Sequence, residues 1–139
     1  MALTDQLLVG IELLPDFNEC LGFDGRTASA YVVGVALSIL VVGPVEEFLF
    51  RGVFQGRLRE AFPPMLAIGL AGLVFAFFHL YLILVFLPSV GVVVHLVAYY
   101  TTMGAVFGFV YERTGTLIAP ALTHGVFNAI LFGWMIGVI

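Results

Sequence analysis

Between Glu60 and Glu112 the chain reads AFPPMLAIGLAGLVFAFFHLYLILVFLPSVGVVVHLVAYYTTMGAVFGFVY (residues 61–111), without one charged side chain. A water-soluble fold cannot cover so long a run with polar surface, whereas helices, whose backbone bonds are made internally, can place it in hydrocarbon. Pro63-Pro64 opens the run and Leu87-Pro88-Ser89 divides it, so it holds two apolar helices, expected at about 64–86 and 90–111. Similar stretches flank it. Thr27 to Val45 is uncharged and continues with a polar end to about Arg59; Leu117 to Val138 follows the turn Thr114-Gly115-Thr116. The expected fold is all-α: a polytopic membrane protein with a four-transmembrane-helix core (27–59, 64–86, 90–111 and 117–138), one domain over 27–139.

Composition agrees. Hydrophobic residues make up 62% of the chain and charged ones 10%, with a mean hydropathy of +1.15; soluble domains carry about 25% charged residues. The net charge of −4, with no lysine and no basic patch, gives nucleic acid no footing. The single Cys20 has no partner for an intrachain disulfide. In segment 1–26, Leu7, Leu8, Ile11 and Leu14 recur at helical spacing opposite Asp5, Gln6 and Glu12, which predicts a short interfacial helix ended by Pro15. The acids and the lack of a positive leading region argue against a cleavable signal. Arg57, Arg59 and Arg113 lie in the first and third connections and none in the second, so the first and third are expected on the cytoplasmic side.

Against this apolar background stand Glu46, Glu47, Arg51, His79, His124 and Asn128. An ionisable group at the centre of a membrane helix costs roughly 2.5–3.5 kcal/mol even on lenient scales. In Glu46-Glu47-Phe48-Leu49-Phe50-Arg51, Glu47 and Arg51 share a helix face, while Glu46 points about 100° away and is free to face a cavity. Phe75 precedes His79 by one turn and can wall a pocket beside the imidazole. His124 and Asn128 share a face, with Gly125 leaving room, and can donate two hydrogen bonds to a developing oxyanion. Each string has a plain structural alternative: a helix-end salt bridge, a hydrogen-bonded packing histidine, an interhelical polar pair. One water-containing site explains all three together. His95 has no partner at helical spacing and is read as an interface or packing histidine; Trp134, with Tyr99, Tyr100 and Tyr111, fits packing or aromatic-belt anchoring. Gly104-x-x-x-Gly108 and Gly133-x-x-x-Gly137 are expected to bring helix backbones close.

In this order on successive apolar helices, Glu46-Glu47…Arg51, Phe75…His79 and His124…Asn128 resemble the signature of the CAAX-protease and bacteriocin-processing family of intramembrane endopeptidases, of the type II CAAX prenyl protease kind. The resemblance covers about residues 20–139, though many members carry further N-terminal membrane helices. It implies cleavage near the C-terminus of a membrane-associated protein or peptide, prenylated or not, in the lipid bilayer. It further implies that Glu46 and His79 activate water, that His124 and Asn128 stabilise the oxyanion, and that Glu47 and Arg51 support them. The cofactor is left open. Zinc held by Glu46, His79 and His124 is the alternative to the favoured metal-free scheme. Two other functions compete: a non-catalytic immunity or binding protein on the same scaffold, and a small proton or ion carrier. The expected location is the plasma membrane of a prokaryote; substrate identity and oligomeric state are open.

Overall fold

The computed structural model describes residues 28–84 and 89–135, with side chains for 32–81 and 89–131. The expected interfacial helix in 1–26, the Leu87-Pro88 turn and Gly137 lie outside the described residues. Four helical rods follow one another: α1 (residues 28–61), α2 (Pro64–Leu84), α3 (Val90–Thr114) and α4 (Ile118–Met135); no strand occurs among the described residues. Three stretches are long and apolar enough to cross a membrane, Val32–Ala61, Pro64–Tyr81 and Val90–Thr114. At the position of the expected fourth crossing, helix Ile118–Met135 carries the apolar stretch Ile118–Leu131, and 136–139 lie outside the described residues.

Helix α1 is not uniform. Wide π-helical turns at Ser38–Val42 and Phe48–Gln55 flank the short α-helical Gly43–Glu47. Pro44 has no N–H to give, and the N–H of Gly43 bonds back to Ser38 O, so the ladder widens locally. The backbone stays in the right-handed region throughout (Val42 φ −62°, ψ −54°; Phe48 φ −58°, ψ −47°). Gly43-Pro44 is thus absorbed as an inserted turn, a feature that recurs at functional sites. Phe62 turns extended (φ −129°, ψ 151°) before Pro63, and the rod ends. Helix α3 is capped by the Ser89 hydroxyl, which accepts from the N–H of Val92 at 3.5 Å, and stops at Gly115 in the left-handed region (φ 65°).

The first half of α1 packs on α4, its second half on α2; α3 lies against both α2 and α4. Helices α2 and α3 meet backbone to backbone. A Cβ on Gly72 would lie 2.7 Å from Thr101 O, and one on Gly104 would lie 2.9 Å from Gly72 Cα. So Gly104 does permit the expected close approach, and its counterpart is Gly72. Helices α1 and α3 are held by a ladder of side chains instead. Arg51 Nη2 donates to Gly104 O at 2.7 Å, Gln55 Nε2 donates to Gly108 O at 3.1 Å, and Arg59 Nε pairs with Glu112 at 3.1 Å. Each rung advances four residues on both helices, so the two run parallel. The last rung brings the first and third connections to one end of the bundle. At the centre, Phe50, Phe75 and Phe107 are buried against one another.

The Gly72–Gly104 contact can be tested by paired substitutions. Gly72→Ala is expected to destabilise the bundle by about 1–3 kcal/mol, because its methyl meets backbone. Gly69→Ala meets nothing within 4 Å and is expected to be neutral or stabilising by up to about 1 kcal/mol. Thermal unfolding in detergent distinguishes the two.

Candidate active site

Glu47 sits at the end of the short α-helical segment of α1 and is fully buried, at 0% side-chain exposure; Arg51, one turn on, is 1% exposed. Arg51 Nη1 donates to Glu47 Oε1 at 3.1 Å, and its Nε lies 2.9 Å from Oε2, off the line a hydrogen bond needs. The guanidinium carbon lies 5.0 Å from the Phe75 ring centre, 5.4 Å from Phe107 and 5.8 Å from Phe50. A buried cation is tolerable in such a setting: one carboxylate, one carbonyl and three aromatic faces replace its water.

Glu47 has a second partner. His124 Nδ1 on α4 lies 2.9 Å from Glu47 Oε1. A carboxylate only accepts, so Nδ1 carries the hydrogen, and Nε2 can donate only when the ring is charged. This refines the expectation for His124. As an oxyanion donor it must act as an imidazolium, with the proton on Nδ1 balanced by Glu47.

Glu46 faces elsewhere. Its Oε2 is buried and has no hydrogen-bond partner among the described residues. It lies 3.6 Å from His79 Nε2 and 3.9 Å from His124 Nε2, two gaps beyond direct bonding. His79 Nδ1 is 2.9 Å from Phe75 O; a carbonyl accepts, so the neutral ring keeps its proton on Nδ1 and turns an unprotonated Nε2 towards Glu46. The side chains of Glu46 and His79 remain 19% and 20% exposed, whereas His124 is 5% exposed. Phe75 lies against both imidazoles, its ring centre 4.2 Å from His79 and 5.9 Å from His124.

The fold therefore gathers Glu46, Glu47, Arg51, Phe75, His79 and His124. It does not bond Asn128 to them: its carboxamide, one turn past His124, is half-buried and makes no hydrogen bond among the described residues. His95, expected at the interface or in packing, has a buried Nε2 without a hydrogen-bond partner among the described residues. Gln55, Tyr100 and Phe107 were missed from the sequence. Gln55 had a readable signal, since Glu47, Arg51 and Gln55 form a stripe at four-residue spacing. Tyr100, stacked on His79, and Phe107, stacked on His124, had none.

The donor geometry bears on the zinc alternative. Bonds of about 2.0–2.1 Å in a tetrahedral site put neighbouring donors about 3.3 Å apart. The Glu46–His124 separation of 3.9 Å exceeds this. Among the described residues no three His, Cys, Asp or Glu side chains are arranged to hold an ion. The donor set as arranged does not fit a three-ligand zinc site.

Long apolar helices and an acid–histidine cluster drawn from three of them define an integral membrane protein with a polar site inside the bundle. Residues 28–130 match the family model described as type II CAAX prenyl endopeptidase Rce1-like, and the chain belongs to that family. No curated protein and no solved structure matches it.

The buried pair makes a thermodynamic prediction. Arg51→Met strands Glu47 without a counter-charge and is expected to cost about 3–5 kcal/mol. Adding Glu47→Gln removes the stranded charge while keeping an acceptor for His124, so the double variant should recover part of that loss. Melting temperatures of the three proteins in detergent check the order.

Proposed function

We propose that this protein is an intramembrane endopeptidase that hydrolyses a peptide bond near the C-terminus of a membrane-associated, prenylated substrate. The observation that supports it most is Glu46 Oε2, a buried carboxylate oxygen with no hydrogen-bond partner among the described residues, aimed at His79 Nε2. Two acceptors so disposed suit one water molecule, whose two hydrogens they can take. As the water oxygen attacks the scissile carbonyl carbon, Glu46 with His79 removes its proton. The carbonyl π pair moves onto oxygen, and the resulting oxyanion is met by His124 Nε2–H, with Asn128, one turn on along the same helix face, as the second donor. The oxyanion's electron pair then re-forms the C=O bond as the C–N bond breaks, and the proton held by the Glu46–His79 pair passes to the departing amine nitrogen. One product keeps the new carboxylate and the other leaves as a short peptide.

Glu47 and Arg51 do not touch substrate in this scheme. Glu47 holds the His124 ring through Nδ1 and balances its charge, and Arg51 holds Glu47. Partial exposure of Glu46 and His79, against burial of the rest, leaves the water-activating end as the approachable one. The family's description as a CAAX prenyl endopeptidase supports the substrate class proposed here, a chain ending in a prenylated cysteine and three further residues.

The test is direct. Purified protein in lipid nanodiscs would be given a farnesylated peptide ending in such a motif and the same peptide without the lipid, and products read by mass spectrometry. Release of the terminal tripeptide, faster from the lipidated peptide, is the expected result. Glu46→Gln and His79→Ala are each expected to lower kcat about 10²–10⁴-fold, and Asn128→Ala about 10²–10³-fold. Wild-type cleavage by both Glu46→Gln and His79→Ala sinks the assignment. Given the donor geometry at Glu46, His79 and His124, a strong zinc chelator should leave the rate unchanged. Loss of activity restored by added zinc would overturn that expectation.

A further inference from the structure

Helix α3 contributes no residue to the three sequence motifs, yet it meets both histidines face on. The His79 ring stacks on Tyr100, centroids 4.6 Å apart and planes 22° apart. The His124 ring stacks on Phe107, centroids 4.7 Å apart and planes 17° apart. Tyr100 and Phe107 stand four residues before and three after Gly104, so all three share one face of the helix. Gly104 itself accepts Arg51 and admits the backbone of α2. One face of α3 therefore carries two aromatic rings and, between them, the point that locks the buried cation.

An imidazole tethered by a single hydrogen bond can still pivot about it. His79 is tied through Nδ1 to Phe75 O, and His124 through Nδ1 to Glu47. A parallel aromatic face fixes the tilt that the hydrogen bond leaves free. Both tethers and both faces leave Nε2 turned towards the same oxygen, Glu46 Oε2.

We propose that Tyr100 and Phe107 are positioning residues of the site, two flat shelves on α3 that hold the His79 and His124 rings in the planes aiming both Nε2 atoms at Glu46. This rests on the endopeptidase reading for its kinetic consequence, but the shelves themselves are readable without it. The shelf under His79 is the ring face of Tyr100 and not its hydroxyl.

The experiment uses the full chain in detergent with labelled histidine, and variants Tyr100→Phe, Tyr100→Leu and Phe107→Leu. Histidine ring-proton resonances, sensitive to an aromatic face, are recorded beside kcat and KM on the farnesylated peptide. Tyr100→Phe is expected to keep both. Tyr100→Leu is expected to move the His79 resonance and lower kcat about 10- to 100-fold, with KM changed less than about twofold. Phe107→Leu should do the same through His124. Because Phe107 is deep in the core and Tyr100 only half-buried, Tyr100→Leu is the deciding variant. An unmoved His79 resonance with wild-type kcat overturns the proposal, as does a Tyr100→Phe variant that falls as far as Tyr100→Leu. If the wild-type protein cuts no peptide, the endopeptidase reading fails, and the resonances still decide whether the shelves exist.

Discussion

Everything in the interior is arranged around the Arg51–Glu47 ion pair. Its two side chains are 1% and 0% exposed, and between them they join all four described helices. Arg51 reaches Gly104 on α3 and faces Phe75 on α2; Glu47 reaches His124 on α4. Buried ion pairs are weak sources of net stability, since removing two charges from water costs about as much as their attraction returns. What such a pair enforces is position. Any slip of one helix against another strands a charge in hydrocarbon, and the penalty for that is far larger than for a misplaced leucine.

That constraint explains the glycines of α3. A helical carbonyl already bonded within its own helix keeps a second lone pair, but side chains normally screen it. At Gly104 and Gly108 the screen is missing, and Arg51 and Gln55 reach the bare oxygens. The same absence at Gly104 lets Gly72 of α2 close in from another direction. One small-residue motif thereby serves two contacts, one between backbones and one between a backbone and buried side chains. The spacing of four on α1 and four on α3 keeps the ladder in step down to Arg59 and Glu112.

The two adjacent glutamates show how a single helix can assign opposite tasks to identical side chains. About 100° of helical rotation separates them. Glu47 is turned into the pair and its Oε1 accepts from both Arg51 and His124. Glu46 is turned towards His79 with an oxygen that no described residue bonds. The π-helical turns on either side of Gly43–Glu47 shape the segment that presents both.

The helical class, the apolar spans and the membrane setting were legible in the sequence because charge avoidance over 61–111 has no other physical solution. The Glu47–Arg51 pairing was legible too, being a contact within one helix whose geometry is fixed by its period. The gathering of Glu46, His79 and His124 was readable only as an economy: three helices each carrying an expensive polar group are cheapest if they share it. Tertiary structure alone decided the rest. That His124 turns its Nδ1 to Glu47, and so can donate from Nε2 only when charged, depends on how α4 lies on α1. That Tyr100 and Phe107 lie flat on the two histidines depends on the rotation of α3 about its axis, which nearly uniform hydrophobicity leaves unspecified. In a lipid-facing bundle the sequence pattern says which residues must be buried together. It does not say which faces meet, because there the hydrophobic stripe that would orient a soluble helix is absent.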